Sequence, residues 1–170
     1  GRSICNIFAS EGASVVVADI DEAGSEETVR EIKKSGGVSY AITTDVSSEI
    51  SVQNSISEAA SLIDGIDIVV NDAATFIFGE IEDISDADWE KVFQVNVIGA
   101  SNVVKHALPY LKTSPSPSIV NMASIGGFVA GRAFIPYNAS KGALLQLTRC
   151  LAMDLSVFNI RVNSVCPGSI

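Results

Sequence analysis

The chain has 170 residues, 47% of them hydrophobic and 18% charged, and its formal net charge is −9. This length and apolar content exclude a disordered chain and predict a single domain with a substantial core. The acidic balance argues against nucleic acid as a partner, because a negative surface repels phosphate backbones. All apolar runs are far shorter than the roughly 20 residues that cross a bilayer, so no membrane partner is expected.

The three cysteines, Cys5, Cys150 and Cys166, lack the paired spacing of a metal site or a disulfide framework. They predict buried free thiols, which suit a reducing compartment. The chain opens without the basic and apolar segments of a signal peptide. We therefore expect a cytoplasmic protein and no metal site.

Helix-like and strand-like segments alternate along the chain. Amphipathic or polar stretches predict helices, and short β-branched runs predict buried strands. The predicted helices span residues 1–10, 21–35, 48–62, 85–111 and 135–157, and the predicted strands span 14–18, 38–42, 66–70, 118–122 and 160–165. Alternation of this kind is typical of a parallel sheet with right-handed crossovers. We predict one α/β domain over residues 1–170, a doubly wound parallel sheet in three αβα layers.

The longest predicted helix, 85–111, carries signals at both of its ends. Ser85 and Asp88 resemble a capping box at its beginning, although aspartate is a weaker partner than glutamate. Pro109 lies near its end, where a break or a kink is expected.

Tyr137 and Lys141 stand four residues apart and lie on one face of the predicted helix 135–157. A free phenol has a pKa of about 10 and is a poor base at neutral pH, but a fixed cation nearby lowers that value. The pair therefore indicates a base that works near neutrality. The alternative is an ordinary tyrosine and lysine on a helix surface.

Ser124 follows the predicted strand 118–122 at its carboxyl end, where open α/β sheets place their sites. A hydroxyl there can donate a hydrogen bond to a substrate oxygen on which negative charge develops. The alternative is a serine that only ends the strand. Gly126, Gly127 and Gly131 then predict a flexible connection to the helix of Tyr137.

Together with other motifs in chain order, these residues resemble the short-chain dehydrogenase/reductase family over essentially the whole chain. Asn71-Asp72-Ala73-Ala74 resembles the family's Asn-Asn-Ala-Gly turn, and Asp45-Val46 resembles its adenine-contacting pair. Asn96 matches the helix asparagine that holds a water in the family's proton relay. Asn163-Ser164-Val165-Cys166-Pro167-Gly168 resembles the segment that flanks the nicotinamide.

The resemblance implies a Rossmann-type oxidoreductase that moves a hydride between a nicotinamide dinucleotide and a secondary alcohol or ketone. The catalytic residues that it implies are Asn96, Ser124, Tyr137 and Lys141. The cofactor-binding residues that it implies are Gly1, Asp19, Ile20, Asp45, Val46, Asn71, Ala73, Tyr137, Lys141, Pro167, Gly168 and Ile170. Relatives form homodimers or homotetramers, and the same is expected of the full-length protein.

Single matches have simpler alternatives. Asn96 could cap a neighbouring segment, Asp45 could be a helix N-cap, and Pro167-Gly168 could be a turn. The ordered occurrence of all the motifs favours the functional assignments. Two other functions stay open: a non-catalytic nucleotide sensor on the same fold, and a product that only dimerises through its long helices.

Asp19 decides the choice of cofactor. It directly follows the β-branched run, where a carboxylate can accept hydrogen bonds from both hydroxyls of the adenosine ribose. It would also repel a 2′-phosphate, and no arginine follows in Ile20-Asp21-Glu22. NAD is therefore expected rather than NADP. The alternative is that Asp19 caps the helix that begins near Asp21.

The family pattern is incomplete at both ends of the chain. Gly1 resembles the last glycine of the family's Thr-Gly-x-x-x-Gly-x-Gly phosphate motif, and the first strand and earlier glycines are absent. The last strand and the substrate-covering helices that would follow Ile170 are absent too. Because the first strand is central in the family's sheet, the sheet should split into two parts with unpaired edges. We expect a truncated, incomplete nucleotide-binding domain that is inactive by itself.

Overall fold

The predicted helices and strands are all present in the structure, a computed structural model that describes residues 1–168. The helices are α1 (Arg2–Ser10), α2 (Glu22–Lys34), α3 (Glu49–Ile63), α4 (Asp86–Phe93), α5 (Ala100–Leu111) and α6 (Ile135–Leu155). The strands are β1 (Val15–Asp19), β2 (Ser39–Thr43), β3 (Ile68–Asn71), β4 (Ser118–Met122) and β5 (Arg161–Val165). Two 3₁₀ turns, Ile125–Gly127 and Ser156–Phe158, lie before and after α6.

Short polar side chains begin three of the helices. Asp21 accepts a hydrogen bond from the backbone N–H of Gly24 at the start of α2, and Ser48 accepts one from Ser51 at the start of α3. Ser85 and Asp88 bond to each other's backbone N–H groups, so the predicted capping box of α4 is confirmed. Each cap satisfies donors that have no partner within the helix.

The predicted continuous helix 85–111 is interrupted. Gln94–Gly99 forms a π-helical segment between α4 and α5. Hydrophobic periodicity did not predict this segment, because a single π turn hardly changes the pattern of a long helix. Such segments are rare and are found frequently at functional sites. Pro109 lies inside α5, which continues to Leu111 and ends there as predicted, so the helix does not break at the proline itself. The alternative of a kink at Pro109 stays a prediction.

The strands form two separate parallel sheets. β1 pairs with β2, with Val17 opposite Ala41. β3, β4 and β5 form the second sheet in that order, with Val70 opposite Val120 and Val120 opposite Asn163. Among residues 1–168 no strand joins β1 to β3, so the predicted split of the sheet is confirmed.

Helices cover the strands from two sides. α1 packs against α2, and both contact the first sheet, whereas α3 packs against α5, and α6 packs against α4 and the π-helical segment. The main core lies where α3 and α5 meet the second sheet. Its buried side chains include Val69, Leu111, Ile119 and Val162. The core therefore fixes the carboxyl ends of β3, β4 and β5 relative to α5 and α6.

The three cysteines are free thiols, but only part of the expectation about their burial holds. Cys5 and Cys166 are half-buried, and burial raises the pKa of the Cys5 thiol. Cys150 is exposed, because it lies on the outer face of α6 with Gln146, Arg149 and Met153. None of the helices in the described part of the chain is long and apolar enough to cross a membrane.

The split sheet leads to a prediction about the 170-residue chain by itself. Unpaired strand edges leave backbone groups without partners and expose apolar side chains such as Ile68, which is 46% exposed. We expect a broad thermal transition and no binding of NAD in the micromolar range, measured by circular dichroism and calorimetry. A longer form that supplies a strand between β1 and β3 is the control and should melt cooperatively. A sharp melt with micromolar affinity in the 170-residue chain would contradict the prediction.

Candidate active site

Tyr137 and Lys141 lie together at the start of α6, one turn apart. Pro136 occupies a first-turn position of this helix, which its fixed φ favours. The Nζ atom of Lys141 is 5.6 Å from the centroid of the Tyr137 ring. The structure therefore brings the predicted phenol and ammonium together. The contact is between the Lys141 ammonium and the face of the Tyr137 ring.

Lys141 is buried and anchored. Only 3% of the residue is exposed, and its Nζ donates a 2.6 Å hydrogen bond to the carbonyl oxygen of Met122, the last residue of β4. Burial lowers the pKa of Lys141, and the carboxylate of Asp72 acts in the opposite direction. An ammonium held this way is fixed between the end of β4 and the Tyr137 ring.

Ser124 lies two residues beyond β4 and begins the 3₁₀ turn Ile125–Gly127. Its Oγ accepts a 3.0 Å hydrogen bond from the N–H of Gly126. The turn presses against α6, because a Cβ added to Gly127 would lie 3.0 Å from the carbonyl oxygen of Lys141. The expected flexibility of this connection stays a prediction. A Cβ added to Gly126 would meet only side-chain atoms of Asn138 and Ser124, whereas Gly127 is required by the close approach to the backbone of Lys141. The same contact places Ser124 beside the helix of Tyr137 and Lys141.

Asn96 lies in the π-helical segment and is 1% exposed. Its Oδ1 accepts from the N–H of Thr75 at 2.8 Å, and its Nδ2 donates to the carbonyl of Thr75 at 2.8 Å and to Oγ of Ser140 at 2.9 Å. Ser140 in turn donates to the carbonyl of Tyr137. The side-chain amide thus holds the loop after β3 against α6 through residues 21 and 44 positions away, which differs from the alternative of capping a neighbouring segment.

Two of the residues expected to bind the cofactor, Ile20 and Asp45, line one cleft. A cavity of about 720 Å³ is lined by residues that include Ile20, Asp45 and Gln94. Asp45 accepts from both the N–H and the hydroxyl of Ser47, which orients its carboxylate. The helix N-cap itself is Ser48, so the alternative for Asp45 does not hold. Asp19 is exposed at the end of β1 and accepts from the N–H of Asp21, so its carboxylate also steadies the start of α2.

Val46 lies against the π-helical segment at Gly99. Its carbonyl oxygen would lie 2.9 Å from a Cβ added to Gly99, so the π-helical segment can approach it only through a glycine. Gln94 donates to the carbonyl of Ser47 at 2.9 Å across the same contact. Asp19 and Val46 are not among the residues that line the cavity, although Asp19 directly precedes the lining residue Ile20.

The remaining expected cofactor residues surround the ends of β3 and β5. Pro167 accepts from the N–H of Ile125 at 3.0 Å, and Gly168 lies near the same isoleucine. Ala73 is exposed beyond β3, and the amine of Gly1 is 2.7 Å from a carboxylate oxygen of Asp72. Ala74 is not among the described residues with positive φ, so it fits the turn where the family has glycine. Ile170 lies outside the described residues.

Sequence reasoning missed a buried network behind the site. Asn121 is fully buried in β4, accepts from the Asn71 amide at 2.8 Å, and donates to Oγ1 of Thr148 on α6 at 2.9 Å. Ser140 was also missed, although it joins Asn96 to Tyr137. An asparagine inside the apolar run Ile119-Val120-Asn121-Met122 was a usable signal, since buried amides need partners.

Within residues 1–168, no group of three or more His, Cys, Asp and Glu side chains is arranged to hold a metal ion.

The chain matches the model of the family described as enoyl-(acyl carrier protein) reductase over residues 1–170. It is 33% identical over 170 residues to cyclopentanol dehydrogenase of Comamonas sp., covering 100% of this chain and 68% of the relative. It is 33% identical over 168 residues to meso-2,3-butanediol dehydrogenase of Serratia marcescens, covering 99% of this chain and 66% of that protein.

Solved structures share the fold closely. A structure described as a short-chain alcohol dehydrogenase from Sinorhizobium meliloti superimposes with a TM-score of 0.95 at 32% identity, covering 99% of this chain and 67% of that one. One described as a short-chain dehydrogenase/reductase from Burkholderia xenovorans gives 0.95 at 31% identity, covering 100% of this chain and 68% of that one. The chain thus spans about two thirds of the length of these relatives.

The hydrogen bonds of Asn96 lead to a prediction about stability. Asn96→Ala leaves the N–H and carbonyl of Thr75 and the hydroxyl of Ser140 without this partner. We expect the free energy of unfolding of the full-length protein to fall by about 3 kcal/mol, measured by urea denaturation. Asn102→Ala, at a half-buried position of α5, is the matched control and should change it by less than about 1 kcal/mol. Equal losses in both variants would count against the assigned role of Asn96.

Proposed function

Because the chain belongs to the short-chain dehydrogenase/reductase family, we propose that it transfers a hydride between NAD and a secondary alcohol or ketone. In this proposal Tyr137, Lys141, Ser124 and Asn96 carry the proton chemistry. The observation that supports it most strongly is the buried ammonium of Lys141, held between Met122 and the Tyr137 ring. Burying a cation costs free energy, so its retention beside a phenol favours a catalytic role.

Bound NAD supplies the hydride acceptor in the oxidation direction. The Tyr137 phenolate then takes the proton of the alcohol hydroxyl, and in the reverse direction the phenol returns a proton to the carbonyl oxygen. The Lys141 ammonium stabilises negative charge on the phenolate across the 5.6 Å that separate Nζ from the ring centroid. The alcohol therefore loses one hydride and one proton, and both have a defined destination.

Ser124 orients the substrate oxygen in this mechanism. Its Oγ already accepts from Gly126, which leaves its own hydrogen free to donate toward the substrate. Asn96 contacts α6 through Ser140. Since its amide is committed to Thr75 and Ser140, we assign any contact with a relay water to the backbone of the π-helical segment rather than to the side chain.

The choice of secondary alcohols rests on the relatives. Cyclopentanol dehydrogenase and meso-2,3-butanediol dehydrogenase are both named for secondary alcohols. The choice of NAD over NADP rests on the exposed carboxylate of Asp19 at the end of β1.

A non-catalytic nucleotide sensor has less support, because a sensor gains nothing from burying Lys141 beside Tyr137. Assembly of the full-length protein as a homodimer or homotetramer stays a prediction.

Removal of the phenolic hydroxyl tests the role of Tyr137. Tyr137→Phe in the full-length protein should lower kcat by about 10³-fold, because no other described group then accepts the alcohol proton at that position. Its affinity for NAD, measured by calorimetry, should stay within about threefold. Tyr40→Phe, on β2, removes a hydroxyl from the first sheet and is the matched control with normal turnover. Retained activity in Tyr137→Phe would refute the assignment.

Removal of the Asp19 carboxylate tests the cofactor assignment. Asp19→Ala should lower kcat/KM for NAD by about 10- to 100-fold, since a hydrogen bond to a charged group contributes about 1.5–3 kcal/mol. It should raise kcat/KM for NADP, because repulsion of the 2′-phosphate is removed. Glu22→Ala, an exposed carboxylate in the first turn of α2, is the control for general charge effects. An unchanged ratio between the two cofactors would show that Asp19 only supports the helix start.

A further inference from the structure

Three phenylalanines form a cluster beside the proposed catalytic tyrosine, and two of them contact its ring. Phe76 and Phe78 lie in the loop after β3, and Phe134 lies directly before α6. The ring centroids of Phe76 and Phe78 are 5.0 Å apart, and those of Phe78 and Phe134 are 4.7 Å apart. Phe134 and Phe76 each lie 6.3 Å from Tyr137, all in edge-type geometry. We call Phe76, Phe78 and Phe134 the aromatic cluster.

The aromatic cluster is open on its outer side. Phe76 is 56% exposed, Phe78 is 57% exposed and Phe134 is 36% exposed in the described part of the chain. Large apolar side chains scattered singly on a surface need no explanation, but a contiguous group marks a binding surface. This group adjoins the phenol that handles the proton in the proposed function. An apolar surface beside a few placed polar groups is the usual composition of a small-molecule site.

Backbone and charged groups hold the two loops of the cluster together. The N–H of Gly79 donates to the carbonyl of Ala133 at 3.0 Å, and Gly79 pairs with Phe134 as an isolated bridge. Arg132 donates to Oε1 of Glu80 through Nε at 2.9 Å and Nη2 at 2.6 Å. The first loop is also tied down by Asn96 through Thr75. The aromatic surface is therefore preformed, which lowers the entropy cost of binding an apolar group.

The backbone conformation of Ala133 indicates that the surrounding contacts determine the arrangement of the two loops. Its φ is +62°, a left-handed conformation that alanine rarely adopts. Such strain persists only where the surrounding contacts determine it, and it concentrates at functional sites. Here the conformation aims the Ala133 carbonyl at Gly79 and joins the two loops.

We infer that the aromatic cluster binds the larger substituent of the substrate, and that this substituent is an aryl group. The inference rests on the proposed function and specifies its substrate class. Aromatic side chains arranged edge to face favour a further ring, because ring edges and faces attract each other at 4.5–7 Å separations. Glu80 and Arg132 neutralise each other beside the cluster, so a charged substituent finds no free partner in that ion pair.

The test compares an aryl and a small aliphatic alcohol in the full-length protein. 1-Phenylethanol and 2-propanol are oxidised with NAD and with NADP, and the corresponding ketones are reduced. We expect kcat/KM to be about 100-fold higher for 1-phenylethanol, which corresponds to the discrimination that a few apolar contacts provide. Oxidation of 2-propanol without any preference for the aryl alcohol overturns the inference and leaves the proposed function standing. Turnover of neither alcohol nor ketone defeats the proposed function itself.

Variants then assign the preference to the cluster. Phe76→Ala and Phe78→Ala should each lower kcat/KM for 1-phenylethanol about tenfold, mainly through KM, and leave 2-propanol within about twofold. Phe76→Leu should recover part of the loss. Phe158→Ala, at an exposed phenylalanine that contacts Lys112, is the matched control and should change neither substrate.

A structural role for the cluster predicts a different result. If the exposed rings pack against another part of the full-length protein, Phe76→Ala and Phe78→Ala should lower Tm and reduce kcat/KM equally for both alcohols. That outcome overturns the inference. A loss confined to the aryl substrate at unchanged Tm supports it.

Discussion

The site is organised around a single buried cation. The Lys141 ammonium has left water and has the Met122 carbonyl as its hydrogen-bond acceptor, with the Asp72 carboxylate contributing a favourable field. A buried charge is tolerated only when such partners are fixed in place. β4 and α6 must therefore keep a fixed relative position, because the hydrogen bond from Lys141 to Met122 joins them. The close contact of Gly127 with the Lys141 backbone meets that requirement, because a side chain there would push the helix away.

Buried amides extend the same constraint to the rest of the second sheet. Asn121 joins Asn71 on β3 to Thr148 on α6, and Asn96 joins the loop after β3 to Ser140 on α6. In a low-dielectric interior, a buried amide that loses one partner destabilises the fold by more than the net free energy that the hydrogen bond contributed. The residues of the proposed active site are therefore held by buried hydrogen bonds, and small displacements of these residues cost free energy. This is the condition for holding Tyr137 at a fixed place relative to a substrate oxygen.

The chain divides its proposed chemistry between the two sheets. Asp19 and Asp45 follow the strands of the first sheet, whereas Ser124, Tyr137 and Lys141 depend on the second. In the described residues no strand joins the sheets. Their spacing depends instead on helix packing of α3 against α5 and on the hydrogen bond from Gln94 to Ser47. The cleft lined by Ile20, Asp45 and Gln94 lies at this junction. In the proposed function, binding of NAD would therefore be coupled to the mutual position of the two sheets.

Much of this could be predicted from local pattern. The alternating elements, the capping box at Ser85 and the one-turn spacing of Tyr137 and Lys141 depend on residues a few positions apart, and sequence reasoning found them. The split of the sheet followed from the absence of a central strand in the chain as given. The π-helical segment, the role of Asn121 and the tight turn at Gly126 and Gly127 were not found, because each depends on contacts between distant parts of the chain.

The sequence by itself thus determined which residue types could carry proton transfer and which strand ends would present them. Only the tertiary structure decided that Lys141 is buried on Met122, that the Asn96 amide is committed to Thr75 and Ser140, and that Phe76 and Phe134 meet at Tyr137. The physical reason is separation along the chain. The partner of Lys141 is 19 residues away and that of Asn96 on α6 is 44 residues away, so no local periodicity encodes either contact.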